Sequence, residues 1–243
     1  IGSGVFFKAE KILTATGGDL PTAILAWIVG ALIMLVCAYT FSLMASKYEK
    51  VNGIVDYAET VVGKGYAYYT GWFISVVYSP ALASVLSWIA ARYTCVLLGV
   101  TDVAGGTCMM IAGLFLCASY AINALSPRLA GKVQVTTTVI KLIPLFLMGI
   151  IGTAIGIKNG TPIANFTVVP TVEQITAVKP DYVPVASPLL TAVVAAAFAY
   201  EGWIIATSIN SELKNAKRNL PIALVGGTIL IALIYILYYV GLA

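Results

Sequence analysis

Two short stretches of this chain combine helical flanks with residues that resist a continuous helix, Gly2-Ser3-Gly4 near its start and Ala199-Tyr200-Glu201-Gly202 far along it. Their chemistry is that of helix ends. Ser3 has glycine on both sides, so backbone N–H groups there can turn toward a ligand at the N-terminus of the half-helix that follows, where the dipole attracts a carboxylate. Opening a helix near Glu201 and Gly202 frees the carbonyls around Phe198, Ala199 and Glu201, which then face a cation such as an ammonium group. A donor nest opposed to an acceptor nest suits a zwitterion. For an isolated pair of small residues the alternative is close packing between apolar helices.

The elements that must position these groups are membrane helices. Sixty per cent of the residues are hydrophobic and ten per cent charged, and the mean hydropathy is +0.96; no water-facing surface accommodates that composition. Uncharged runs long enough to cross about 30 Å of hydrocarbon recur along the chain. The pattern predicts a half-helix over 1–16, spans at about 21–44, 66–98, 107–125, 133–157, 188–213 and 221–242, and a proline-containing outer loop over 158–187 with room for a short surface helix, all in one transmembrane domain. Pro80 is expected to kink its span without ending it. Lysine and arginine collect at 47, 50, 64, 128, 132, 214, 217 and 218 on one side, against 158 and 179 on the other, which puts the first set in the cytoplasm. The chain starts without methionine inside a glycine motif and reads as an internal fragment.

Three charges fall inside spans. Glu201 sits in the second break, where it either meets substrate or a proton or holds the unwound segment through backbone N–H groups or Tyr200. Lys141 lies about two turns inside its span, which favours a structural cation facing the bundle over a snorkelling tail. Arg92 reaches the headgroups. Phe198 and Trp203 flank the second break as candidate gates, with packing or belt roles as the alternative; Tyr78, Tyr120 and Tyr235 raise the same pair of readings. Cys37, Cys95, Cys108 and Cys117 are scattered in apolar runs with no CxxC pair, and the chain has no histidine, so neither a metal site nor a disulfide framework is indicated.

Those motifs, in that order, resemble the amino acid/polyamine/organocation (APC) superfamily of permeases, in particular its bacterial L-amino-acid exchangers of the serine/threonine and alanine/serine/cysteine types. Ile1-Gly2-Ser3-Gly4-Val5-Phe6 is similar to the family's first-helix break and Phe198-Ala199-Tyr200-Glu201-Gly202-Trp203 to its sixth-helix break; Ser211 to Pro221 is similar to its cytoplasmic loop, and Gly53, Tyr57, Gly65 and Gly71-Trp72 fit the loop between spans two and three. Ala216 stands where relatives often carry proline. The resemblance implies an all-α, polytopic membrane protein with a partial LeuT-like fold of five-plus-five inverted repeats, broken in helices 1 and 6 and truncated at both ends.

It also implies a site. Gly2, Ser3 and Gly4 would hold the substrate carboxylate, while Phe198, Ala199, Glu201 and Gly202 form the opposite wall, with the amine on its carbonyls. Phe198, Trp203 and Tyr235 would serve gating, and Lys141 would take the place of the sodium ion of sodium-coupled relatives. The expected activity is alternating-access transport of amino acids, as sodium-independent exchange of neutral ones, with proton-coupled amino acid or polyamine symport and a non-transporting receptor as alternatives. The expected partners are an amino acid substrate, the lipid bilayer and the helices missing from this fragment; no nucleic acid, cofactor or metal is expected. The location implied is the cell membrane, multi-pass. A Ser/His protease would need a histidine, and an aspartyl protease an aspartate inside a span; this chain offers neither. A channel would want like charges along one pore, whereas Arg92, Lys141 and Glu201 differ in sign and lie on separate helices.

Overall fold

The computed structural model describes residues 4–48, 52–213 and 215–242, and every regular element among them is helical. In chain order these are α1 (Gly4–Ala15), α2 (Leu20–Lys47), α3 (Ile54–Val61), α4 (Lys64–Phe73), α5 (Ser79–Leu97), α6 (Gly106–Leu125), α7 (Pro127–Asn159), α8 (Thr161–Thr167), α9 (Val172–Val178), α10 (Pro188–Tyr200) and α11 (Ala216–Leu242). A π-helical turn, Ile74–Tyr78, joins α4 to α5, and a 3₁₀ stretch, Trp203–Glu212, follows α10. Among the described residues six helical stretches are long and apolar enough to cross a membrane: Leu20–Lys47, Lys64–Leu97, Gly106–Leu125, Arg128–Asn159, Pro188–Ser208 and Ala216–Leu242. The all-helical, polytopic fold expected from the sequence is the fold found.

The chain divides into two compact units, one of residues 1–57 with 140–243 and the other of 58–139. In the first, α2 is flanked by α10 and α11, and α1 lies along α10. Small residues let these helices approach: Ala23, Ala26, Ala192, Ala196 and Ala199 are buried, and a methyl group built on Gly30 would lie 3.2 Å from the Ala196 methyl. The space between backbones is filled by rings. Trp27 is fully buried, and its ring centroid lies 5.7, 5.6 and 5.7 Å from those of Tyr200, Tyr235 and Tyr239. The Tyr200 hydroxyl donates to the Trp27 carbonyl at 3.3 Å. A second cluster of Ala45, Tyr57, Leu220 and Leu224, with Phe41 and Trp203 against it, closes the other end of α2.

Residues 16–19 turn the chain between α1 and α2, with Gly17 and Gly18 at φ +64° and +77°, a conformation that favours glycine. Methyl groups built on them would meet the Tyr182 hydroxyl at 3.1 Å and the Pro170 ring at 2.9 Å. The segment around α9 therefore rests on this turn. A capping box starts α9, where Gln174 N–H donates to the Thr171 hydroxyl and Thr171 N–H to the Gln174 side chain. Lys179 just beyond α9 pairs with Glu10 of α1.

The second unit packs α5 on α6 around Ala91, Cys95 and Cys108. Ahead of Pro80, whose nitrogen cannot donate, the helix widens into the π turn and continues as one stretch from Lys64 to Leu97. Arg92 lies over the Trp88 ring, 4.9 Å from its centroid. All four cysteines are free, Cys95 and Cys108 buried, Cys37 half-buried and Cys117 exposed.

Candidate functional site

The α10 helix ends for a local reason. Glu201 adopts an extended conformation (φ −65°, ψ 156°) and Gly202 a left-handed one (φ 113°, ψ −15°), so the i→i−4 ladder cannot continue through them. The chain then resumes as the tighter 3₁₀ form from Trp203. Among the described residues no other atom lies within 4 Å of a methyl group built on Gly202. Gly202→Ala therefore meets backbone strain alone, about 1–2 kcal/mol for an L-residue held left-handed. The expected result is a lower thermal midpoint, measured by a thermal melt of the variant beside the wild type.

At this end of α10 the first helix arrives. A Cβ built on Gly4 would stand 2.6 Å from the Ala199 Cα, so the first described residue of α1 is against the last turn of α10 with only hydrogen between them. The positive end of one helix dipole is thereby set beside the negative end of another. Gly2 and Ser3, the remainder of the expected carboxylate site, lie outside the described residues.

The carbonyls of the break are partly engaged. The Phe198 carbonyl accepts from Glu201 N–H at 3.3 Å, and the Ala199 carbonyl accepts from the Tyr235 hydroxyl at 3.2 Å. Each carbonyl oxygen carries a second lone pair, so both can take a further donor. Tyr235 is fully buried on α11 and its ring lies 5.2 Å from that of Tyr200. It ties the last turn of α10 to its neighbour.

The Phe198 ring is half-buried and lies beneath the Lys8 ammonium, 4.5 Å from ring centroid to Nζ. Trp203 points elsewhere, edge-on to Phe41 at 5.2 Å. Glu201 is exposed at the C-terminal limit of α10. Lys141 is half-buried on α7; its neighbours Leu142 and Leu145 pack into the cluster that also contains Val5, Ala199 and Tyr235. Gly4, Phe198, Ala199 and Tyr235 are thus brought together, with Lys141 on a helix that leans on the same cluster. Lys8 and Trp27 were not singled out by sequence reasoning. A tryptophan about two turns inside a span, flanked by the small residues Ala23, Ala26, Gly30 and Ala31, is the signal that could have found Trp27.

Comparison with known proteins identifies the family. The model of the family described as amino acid permease matches residues 1–243. The serine/threonine exchanger SteT of Bacillus subtilis (strain 168) is 31% identical over 97% of this chain and 49% of its own length. The glutamate/serine transporter AimA of the same organism is 27% identical over 99% of this chain and 44% of its own, and the human b(0,+)-type amino acid transporter 1 is 26% identical over 99% and 47%. The chain spans about half the length of these curated relatives. With a family match along its whole length, a multi-span helical fold and an interrupted helix at 200–203, the chain belongs to the amino acid permease family.

Proposed function

We propose that this chain is the substrate-binding half of a cell-membrane transporter that exchanges amino acids by alternating access and catalyses no covalent chemistry. The observation that carries this reading is the approach of Gly4 to Ala199, which sets the N-terminal end of α1 beside the C-terminal end of α10. Backbone N–H groups of Gly2, Ser3 and Gly4 take the α-carboxylate. Carbonyls at the second end, those of Phe198, Ala199 and Glu201, take the α-ammonium. Discontinuous helices with facing half-helix ends are the usual place for substrate in transporters of this architecture. The names of SteT and AimA point to serine, threonine and glutamate as cargo of those proteins.

On this reading Phe198 covers the ligand, Gly202 supplies the turn that opens the carbonyls, and the hydrogen bond from Tyr235 fixes the Ala199 carbonyl. Lys141 braces the first helix against α7 where sodium-coupled relatives hold a cation. Residues 158–187 lie outside and the lysine-rich loops inside. Binding of labelled serine to the purified full-length protein tests the two-ended site by competition. Unlabelled serine is expected to compete, while its methyl ester and its N-acetyl derivative, each lacking one charge, compete about tenfold to a hundredfold more weakly, as expected for losing a charged hydrogen-bonded group. Equal competition by either derivative contradicts the assignment.

A further inference from the structure

We propose that Lys8 is a specificity-determining residue: its ammonium, held on the Phe198 ring beside the Gly4–Ala199 junction, admits amino acids with neutral or acidic side chains and turns away those with cationic ones. This rests on the transport reading above and names its substrate class. Lys8 follows Gly4 by four residues, so both project from one face of α1. Gly4 meets Ala199, and Lys8 reaches the residue before it, with Nζ 4.5 Å from the centroid of Phe198 and 5.3 Å from that of Phe7. The ring faces hold the charge in place in a half-buried position.

Among the described residues nothing nearby neutralises that charge. Glu10, the acid of α1, is paired with Lys179, and Lys11 adds a second cation, 5.1 Å from the centroid of Phe7. Neither Lys8 nor Lys11 has an ion-pair partner among the described residues. Glu201 lies beyond the end of α10, three residues past Phe198. An amino acid head group is a zwitterion with no net charge, so a positive field acts on a bound substrate chiefly through its side chain. That field is strong where water is sparse and the walls are apolar. A glutamate side chain can also draw the ammonium off the ring into a charge-assisted hydrogen bond, whereas a lysine or arginine side chain meets it as a like charge.

The test uses the full-length protein in liposomes, measuring inhibition of labelled serine exchange by glutamate and by lysine and taking the ratio of the two potencies within each variant, so that a general loss of activity cancels. Lys8→Met is expected to shift the ratio toward lysine by about tenfold or more, the size of one screened charge pair. Lys8→Arg is expected to keep the wild-type ratio and Lys11→Met to move it less. For a variant too slow to assay, thermal stabilisation by the same amino acids gives the ratio. A ratio unmoved by Lys8→Met, or moved as far by Lys8→Arg, overturns the inference while leaving serine exchange standing. A wild-type protein that exchanges no amino acid overturns both.

Discussion

Gly4→Val is expected to abolish amino acid binding and uptake. A Cβ at this position would stand 2.6 Å from Ala199 Cα and 3.2 Å from its methyl group. The nearer atom belongs to the backbone of a helix that also packs on α2, so no side-chain rotation relieves the overlap and the two helix ends must part. Overpacking of this kind costs about 1–3 kcal/mol. If only the ligand-bound arrangement needs the ends together, that is roughly a tenfold to hundredfold loss of affinity at the first methyl group, and more for valine. Gly4→Ala should therefore be intermediate. Gly113→Ala provides the control, since a methyl group there meets no other described atom within 4 Å, and it should bind as wild type. Equilibrium binding of labelled serine measures all three; wild-type affinity in the valine variant would show that the Gly4–Ala199 junction plays no part in binding.

Trp27→Ala is expected to lower stability by about 3–5 kcal/mol, as for other large buried aromatics. Its ring touches three tyrosines from α10 and α11, and its loss leaves a cavity where those helices meet α2. Among the described residues the indole N–H has no hydrogen-bond partner, so the energy lies in packing and ring contacts rather than in a polar bond. Trp27→Phe should accordingly recover much of the loss. The bond from the Tyr200 hydroxyl reaches the Trp27 backbone carbonyl and survives both substitutions. Thermal unfolding of the detergent-solubilised full-length protein decides this. A phenylalanine variant as unstable as the alanine one would point to the indole N–H instead.

The helix break at 200–203 was legible in the sequence because Glu201 and Gly202 interrupt an otherwise apolar run, and each names its own backbone problem. The partner of that break was legible only as chemistry: Gly4 suggested a helix end, but nothing local says that it lies on Ala199, nearly two hundred residues away. Lys8 was hidden for the same reason. In sequence it belongs to the polar end of a half-helix, and its place on Phe198 exists only once α1 lies along α10. Trp27 and the tyrosines around it were hidden differently, since aromatic residues in apolar runs face lipid, core or interface with the same local pattern. Pro80 signalled a distortion but not its form, because a bend and a π turn both relieve a missing N–H. In the 158–187 segment the prolines announced a loop, while the capping box at Thr171 and Gln174 starts a short helix within it.

Whether the protein exchanges amino acids is decided with the full-length chain in liposomes, by following labelled serine uptake with and without unlabelled amino acid inside, in the presence and absence of sodium and of a pH gradient. Exchange requires uptake only into preloaded vesicles, indifferent to sodium and to the gradient, and that is the expected result. Uptake into empty vesicles driven by sodium or protons would contradict exchange and make the protein a symporter, and no uptake under any condition would contradict transport itself.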